Sequence, residues 1–240
     1  MNNGWDESAD AWIAKMGEHG DWGRETILDP AMLARLARRR FERALDVGCG
    51  EGRFCRVLQR MNIATVGIDL TAQLVERAKL LDPDGGYQVA NAEQLPFADA
   101  SFDLVVNYLA LLDIDGYRTA IQEMARVLKP SGTVLIANLT SFNTAGASIG
   151  WIKDEQGRRL HYPIDRYLNE FSYWDAWAGI RVKQWHRPLR AYFSALSESG
   201  LQMTFFDEPE PQSGEPERVA RYRRAPWFLV MEWRKPDAPG

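Results

Sequence analysis

The stretch Leu45-Asp46-Val47-Gly48-Cys49-Gly50-Glu51-Gly52-Arg53-Phe54 decides the fold class of this chain. Ala44 to Val47 reads as a short buried strand, three glycines follow at alternate positions, and Phe54 to Leu58 continues as a helix. Glycine has no Cβ, so such a loop lets backbone approach a ligand closely, and the helix behind it offers free N–H groups. Dinucleotide-binding loops share this layout but use the spacing G-x-G-x-x-G. Here the spacing is G-x-G-x-G, with Arg53 where that third glycine would stand.

Downstream, Ile63 to Asp69 reads as a second strand, and Thr71 is placed to cap a helix running to about Leu81. Asp82-Pro83-Asp84-Gly85-Gly86 breaks the chain before a third strand at Tyr87 to Ala90. A fourth strand follows at Ser101 to Asn107, a helix at Tyr117 to Leu128 and a fifth strand at Thr133 to Asn138. Strands alternating with helices, several almost wholly apolar, predict a parallel sheet covered on both faces. The rhythm stops after residue 140. Residues 141–187 carry Trp151, Tyr162, Tyr167, Phe171, Tyr173, Trp174, Trp177 and Trp185, too long a stretch for a bare connection, and read as an inserted lid or small β-rich subdomain. The α/β pattern then resumes with a helix opened by Pro188, a strand at Leu201 to Phe206 and a last strand at Trp227 to Trp233. Between those strands, Asp207 to Arg224 is polar and Pro-rich, and is expected to be mobile. Upstream, Trp5, Ala9, Trp12, Ile13 and Met16 recur at helical spacing, and Pro30 opens a second helix with Met32, Leu33, Leu36 and Ala37. The expected division is a helical cap at 1–40, a core at 41–140, the lid at 141–187 and the rest of the core at 188–240.

Asp69 ends the second strand, 17 residues beyond Gly52, where a carboxylate can accept both hydroxyls of a ribose. Further on stand Asn91-Ala92-Glu93-Gln94-Leu95-Pro96-Phe97, Ser101-Phe102-Asp103-Leu104-Val105-Val106, and Glu123-Met124-Ala125-Arg126-Val127-Leu128-Lys129-Pro130-Ser131-Gly132. With these motifs in order, residues 42–140 resemble the class I S-adenosylmethionine (SAM)-dependent methyltransferases. The resemblance implies a three-layer Rossmann-like α/β fold, with a mostly parallel seven-stranded sheet and an antiparallel last strand. It implies SAM as cofactor and S-adenosylhomocysteine (SAH) as product. Carried over by position, Gly48 and Gly50 would lie under the methionine part, and Asp46 would arrange the loop or meet the amino group. Asp69 would hold the ribose hydroxyls, Leu70 would pack on the adenine, and the Ala92 N–H, in the motif shared with Glu93, would meet a ring nitrogen. Asn91 stands where the family usually has Asp, and its amide oxygen can still accept from the adenine amino group. Asn107 would offer its carbonyl to the amino-acid end. Arg24, after Asp21-Trp22-Gly23, is a candidate clamp for the cofactor carboxylate.

Methyl transfer from a sulfonium is an in-line displacement by an already activated donor, so alignment, water exclusion and sometimes a base are what a protein adds. The candidate bases are His186, His161 and Asp113. His186 ranks first because His186-Arg187-Pro188-Leu189 resembles a segment common in this group. The aromatics of the lid are expected to shape the acceptor pocket.

The remaining features set bounds. The 240 residues carry 29 basic and 33 acidic side chains, a formal charge of −4, which gives no field toward nucleic acid. Arg38-Arg39-Arg40 is expected to end a helix rather than bind phosphate. After strand four the chain reads Asn107-Tyr108-Leu109-Ala110, neither the Pro-Pro run of base-amino methylation nor a nucleophilic cysteine. A nucleic-acid substrate is therefore disfavoured, with a tRNA left as an alternative. Cys49 and Cys55 lack zinc spacing, and no metal is expected. The N-terminus has no basic or apolar leader region, and no apolar run reaches the roughly 18 residues of a membrane span, so a cytoplasmic protein, monomer or homodimer, is expected. The leading reading is a methyltransferase acting on an O or N acceptor of a small molecule. A non-catalytic SAM-binding module and an NAD(P)-dependent oxidoreductase are the alternatives.

Overall fold

The computed structural model describes residues 3–237; Met1 and Asn2, part of the N-terminal stretch read above, lie outside the described residues. Two helices, α1 (Trp5–Met16) and α2 (Asp29–Leu36), come first, the second entered through a wide helical turn at Arg24–Leu28. The core follows as β1 (Arg43–Val47), α3 (Arg53–Arg60), β2 (Ala64–Asp69), α4 (Ala72–Leu81), β3 (Gly86–Val89), β4 (Phe102–Tyr108), α5 (Tyr117–Val127) and β5 (Leu128–Leu139). Residues 141–187 fold as α6 (Ser141–Gly146) and two hairpins, β6 (Ile152–Lys153) with β7 (Arg159–His161), and β8 (Phe171–Trp177) with β9 (Ile180–His186). The chain ends with α7 (Leu189–Glu198), β10 (Gln202–Asp207), α8 (Pro216–Arg223) and β11 (Phe228–Arg234).

Seven strands form one sheet in the order β10-β11-β5-β4-β1-β2-β3. The first five in the chain pair in parallel, and β11 runs antiparallel to both β5 and β10. The apolar alternation explains the layers. Val105, Val134 and Ile136 face α5 and α7, packing on Ile121, Met124, Tyr192 and Leu196. Leu104, Val106, Leu135 and Ala137 point the other way, onto Met32 and Leu36 of α2 and Phe54 and Leu58 of α3. Each large side chain so buried contributes about 1.5–3 kcal/mol. Two covered faces leave the C-terminal strand ends as the natural ligand edge.

Three sequence expectations are corrected here. The fifth strand starts at Leu128 rather than Thr133, because its first residues pair with Phe102 before a register shift. The segment expected to be mobile contains α8. Pro216 pre-sets its first turn, Arg221 and Arg223 suit its C-terminal end, and Tyr222 packs on Trp22 and Trp227. The arginine run does not end a helix: α2 stops at Leu36, and Arg39 donates to Thr133 Oγ1 and to the Ser131 carbonyl. Thr71 stands at the N-cap of α4, but its side chain makes no capping bond.

Hairpin β8–β9 is docked on α1. Ser8 Oγ donates to the Arg181 carbonyl and accepts from the Arg181 N–H, and the Lys183 N–H donates to the Asn3 carbonyl. Among the described residues, no helix is long and apolar enough to cross a membrane, and no group of three or more His, Cys, Asp or Glu is placed to hold a metal.

Candidate functional site

The loop after β1 turns under the end of β2: the Gly48 and Cys49 N–H groups both donate to the Ile68 carbonyl, at 2.8 and 2.9 Å. Gly48 holds φ +78°, and a Cβ there would lie 2.3 Å from the Cβ of Ala110, so only glycine fits without displacement. Asp69 clasps the loop from the neighbouring strand. Its Oδ2 accepts from the Gly50 N–H at 2.9 Å and its Oδ1 from the Thr71 N–H at 2.8 Å. Burial raises the Asp69 pKa, and those hydrogen bonds work against the rise.

A cavity of about 360 Å³ opens over this loop, within the usual size of small-molecule sites. On its β2 and β3 side are Asp69, Leu70, Asn91, Ala92 and Glu93; on its β4 side are Tyr108, Leu109, Ala110, Asp113 and Asp115. Trp5, Trp12 and Met16 of α1 and Lys183 of β9 complete the lining. Leu109, just after β4, holds φ +56°, a conformation that costs a non-glycine residue about 1–3 kcal/mol and recurs at functional sites.

The electrostatics are one-sided. Six carboxylates line the cavity (Asp46, Glu51, Asp69, Glu93, Asp113 and Asp115) against Arg24, Arg53 and Lys183. The cations are already paired: Arg24 with Asp21 at 2.7 Å, Arg53 with both oxygens of Asp29 at 2.7 and 2.9 Å, and Lys183 with Asp115 at 3.6 Å. Asp46 is 1% exposed, and its Oδ1 has no hydrogen-bond partner among the described residues, while its Oδ2 accepts from Cys55 Sγ at 3.4 Å. Burial pushes Asp46 up to about 7. A cavity with surplus buried carboxylates suits a ligand bearing positive charge and opposes a pyrophosphate.

Nine of the ten cofactor positions read from the sequence line this cavity: Arg24, Asp46, Gly48, Gly50, Asp69, Leu70, Asn91, Ala92 and Glu93. Leu70 is 59% exposed, an apolar surface available to a flat ring. Asn91 Oδ1 accepts from the Glu93 N–H and so shapes its own turn, and Glu93 Oε1 accepts from the Gly116 N–H. Asn107 is not in the lining. Fully buried, it donates from Nδ2 to the Val47 carbonyl at 2.9 Å and accepts at Oδ1 from the Leu111 N–H at 2.8 Å. Its side chain ties the ends of β1 and β4 together.

Of the three base candidates, only Asp113 lines the cavity. Its Oδ1 is buried without a hydrogen-bond partner, and burial pushes its pKa up to about 8. His161 is exposed on β7, outside the cavity. His186 is fully buried, 2.9 Å from the Tyr167 carbonyl through Nε2 and 2.7 Å from Thr144 Oγ1 through Nδ1. A carbonyl only accepts, so Nε2 carries the proton and Nδ1 accepts from the threonine hydroxyl. Burial lowers its pKa, keeping the ring neutral. His186→Ala is therefore expected to lower the melting temperature, at a cost of about 1–3 kcal/mol, and to leave SAH affinity unchanged. Melting curves and calorimetry of that variant check this.

Sequence reasoning missed the lining role of α1. Trp5 and Trp12 recur at a spacing that also describes a plain packing face, and only the fold turns that face toward the cavity. Tyr108, whose hydroxyl donates to Asp29, was also missed. The lid aromatics expected to form the acceptor pocket pack largely among themselves: Trp151 on Tyr162, Phe142 on Tyr167, and Phe171 on His186. Only Lys183 of residues 141–187 lines the cavity.

Residues 45–136 match the family model described as a methyltransferase domain. A crystal structure of an S-adenosylmethionine-dependent methyltransferase from Mesorhizobium loti superposes with a TM-score of 0.78 at 30% identity, covering 91% of this chain and 100% of that one. Malonyl-[acyl-carrier protein] O-methyltransferase of Enterobacter lignolyticus is 37% identical over 151 residues, 63% of this chain and 59% of that protein. O-methyltransferase resE of Aspergillus sclerotiorum is 38% identical over 113 residues, 44% of this chain and 43% of that protein. The chain thus spans less than two thirds of the length of these curated relatives.

Proposed function

The chain belongs to the S-adenosylmethionine-dependent methyltransferases, and we propose that it methylates an oxygen or nitrogen of a small molecule seated on the β4 side of the cavity. One observation carries this reading: a single acid-rich cavity runs from the glycine loop and Asp69 to Asp113. The surplus carboxylate charge fits the sulfonium and ammonium groups of SAM. The unpartnered Asp46 Oδ1 fits a donor arriving over the loop. The acidic lining and the formal charge of −4 favour a small molecule over a nucleic acid, and two free, buried cysteines favour the reducing cytoplasm.

When bound, SAM supplies a methyl group already activated on a positively charged sulfur. The chain's own residues supply position and exclusion of water. Gly48 and Gly50 let the backbone approach the methionine part, and Asp69, held by the Gly50 and Thr71 N–H groups, keeps its free acceptor capacity for ribose hydroxyls. Leu70 offers the apolar surface for adenine, and the turn at Asn91 to Glu93 presents amide groups to its edge. Trp5, Trp12 and Met16 cover the cavity, which lowers the local dielectric and strengthens each carboxylate's pull on the cationic ligand.

Arg24 lies over the Trp12 ring at 4.9 Å and is anchored by Asp21, a rigid guanidinium suited to a carboxylate. Arg24→Ala is expected to weaken SAH binding about tenfold, measured by calorimetry; unchanged affinity removes Arg24 from the site. The catalytic reading is tested by incubating the protein with SAM and a library of amines, phenols and carboxylic acids. Acceptor-dependent accumulation of SAH is the expected result. SAM binding without SAH formation from any acceptor would instead make the protein a binding module.

A further inference from the structure

On the β4 side of the cavity, beyond the positions assigned to SAM, Asp113 and Trp5 line the wall, with other polar side chains packed behind the carboxylate. Asp113, in the short turn Leu111–Asp113, faces Trp5 of α1 and Gln184 of β9, yet its Oδ1 has no partner among the described residues. Gln184 is 6% exposed and accepts at Oε1 from the Tyr173 hydroxyl at 3.4 Å. Tyr173 and Tyr192 both feel the Asp113 charge from behind the cavity wall, and Tyr192 reaches the Asn138 amide. Buried polar groups are normally satisfied, so an unpartnered carboxylate oxygen on the cavity wall marks a place for a polar ligand.

The charge of that ligand follows from what surrounds Asp113. Asp115 beside it is paired with Lys183 and accepts from Trp185 Nε1. Arg187, the cation behind the turn, is 1% exposed and is occupied by the carbonyls of Leu111, Ile114 and Asp115. Among the described residues no cation forms an ion pair with Asp113: Trp5 and Gln184 reach its carboxylate, while Arg187 and Asp69 act on it only through their charge. A carboxylate beside a Trp ring recognises an ammonium group by charge and by the ring face.

Resting on the methyltransferase reading, we propose that Asp113 and Trp5 on the cavity wall form the acceptor seat, with Gln184 behind the carboxylate, and that it takes a small primary or secondary amine. Asp113 holds the ammonium form and takes its proton. The nitrogen lone pair then forms the carbon–nitrogen bond as the methyl–sulfur bond breaks, its electron pair staying on sulfur as a neutral thioether. The proton on Asp113 leaves to solvent with the product. The raised pKa of about 8 suits this exchange near neutral pH. Gln184 and Tyr173 are positioning residues for the carboxylate.

The test uses the full chain saturated with SAH and titrated calorimetrically with ethanolamine, phenethylamine and tryptamine, with 2-phenylethanol and phenylacetate as neutral and anionic counterparts. At least one amine is expected to bind at least tenfold more tightly than the counterparts, and more tightly at pH 8.5 than at pH 6.5. Asp113→Asn is expected to weaken that amine by about 10- to 100-fold while leaving SAH affinity unchanged, which also shows that the variant folds. With SAM in place of SAH, mass spectrometry is expected to find the added methyl on the nitrogen. SAH binding with no amine binding, equal binding of phenethylamine and 2-phenylethanol, or an Asp113→Asn variant with unaltered amine affinity would each overturn the proposal. A wild-type chain that does not bind SAH overturns the cofactor reading itself.

Discussion

Gly48→Ala is expected to weaken SAH binding more than 100-fold and to lower the melting temperature by roughly 5–15 °C. Two costs add. A side chain at φ +78° costs about 1–2 kcal/mol, and a Cβ placed 2.3 Å from the Ala110 Cβ forces a shift worth about 1–3 kcal/mol. The shift falls on the cavity wall between the glycine loop and the turn after β4. The two costs can be separated, because Ala110→Gly removes the steric partner and leaves the backbone strain. The double variant Gly48→Ala/Ala110→Gly is therefore expected to regain part of the stability and affinity. Thermal melts and calorimetry on the four members of this cycle decide the matter. A Gly48→Ala chain with wild-type SAH affinity would show that the loop backbone does not approach the ligand.

Without ligand, the protein is expected to lose stability as pH rises from about 5.5 to 8.5. Burial raises Asp46 to about 7 and Asp113 to about 8 from an ordinary carboxylate value of 3.8. Around Asp46, Arg53 pulls the value down while Asp69 and Glu51 push it up; around Asp113, Gln184 and Arg187 lower it and Asp69 raises it. Because the folded state holds these protons to higher pH than the unfolded chain, their contribution is complete below about pH 4. It is lost as pH rises through 7 and 8. Asp46→Asn and Asp113→Asn are each expected to stabilise the ligand-free protein at pH 8.5, on the order of 2 kcal/mol, and to flatten the pH dependence of the melting temperature. SAM, with one positive charge more than SAH, favours the ionised carboxylates. Its binding is thus expected to release more protons, measured as a larger dependence of the binding enthalpy on the buffer's ionisation enthalpy.

The parts of this protein that could be read from sequence are those whose reason is local. The glycine loop, Asp69 at the end of β2 and the turn at Asn91 to Glu93 each depend on a few neighbouring residues, and they arrive together in one cavity because β1, β2 and β3 are adjacent in the sheet. The parts that could not be read depend on long-range placement. His186 looked like a base because His186-Arg187-Pro188-Leu189 resembles a segment common in this group, but Thr144 and Tyr167 occupy both its nitrogens across the lid. Arg53 broke the dinucleotide spacing, and its partner Asp29 lies 24 residues earlier, at the start of α2. Trp5 and Trp12 read as a core face, and they line the cavity because hairpin β8–β9 holds α1 through Ser8 and Asn3. The helix at Pro216–Arg223 escaped notice because Trp22, on which its Tyr222 packs, lies about 200 residues earlier in the sequence.

The central claim is that the acid-rich cavity over the glycine loop is a SAM site anchored by Asp69. Calorimetric titration of the full chain with SAM, SAH and NAD(H), repeated on Asp69→Ala, tests it most directly. The account predicts one-site binding of SAM and SAH, none of NAD(H), and at least a tenfold loss of both adenosyl ligands on removing the carboxylate that holds Gly50 and is proposed to accept the ribose hydroxyls. Binding of NAD(H) in their place, or an Asp69→Ala chain that binds SAH as tightly as the wild type, would contradict it.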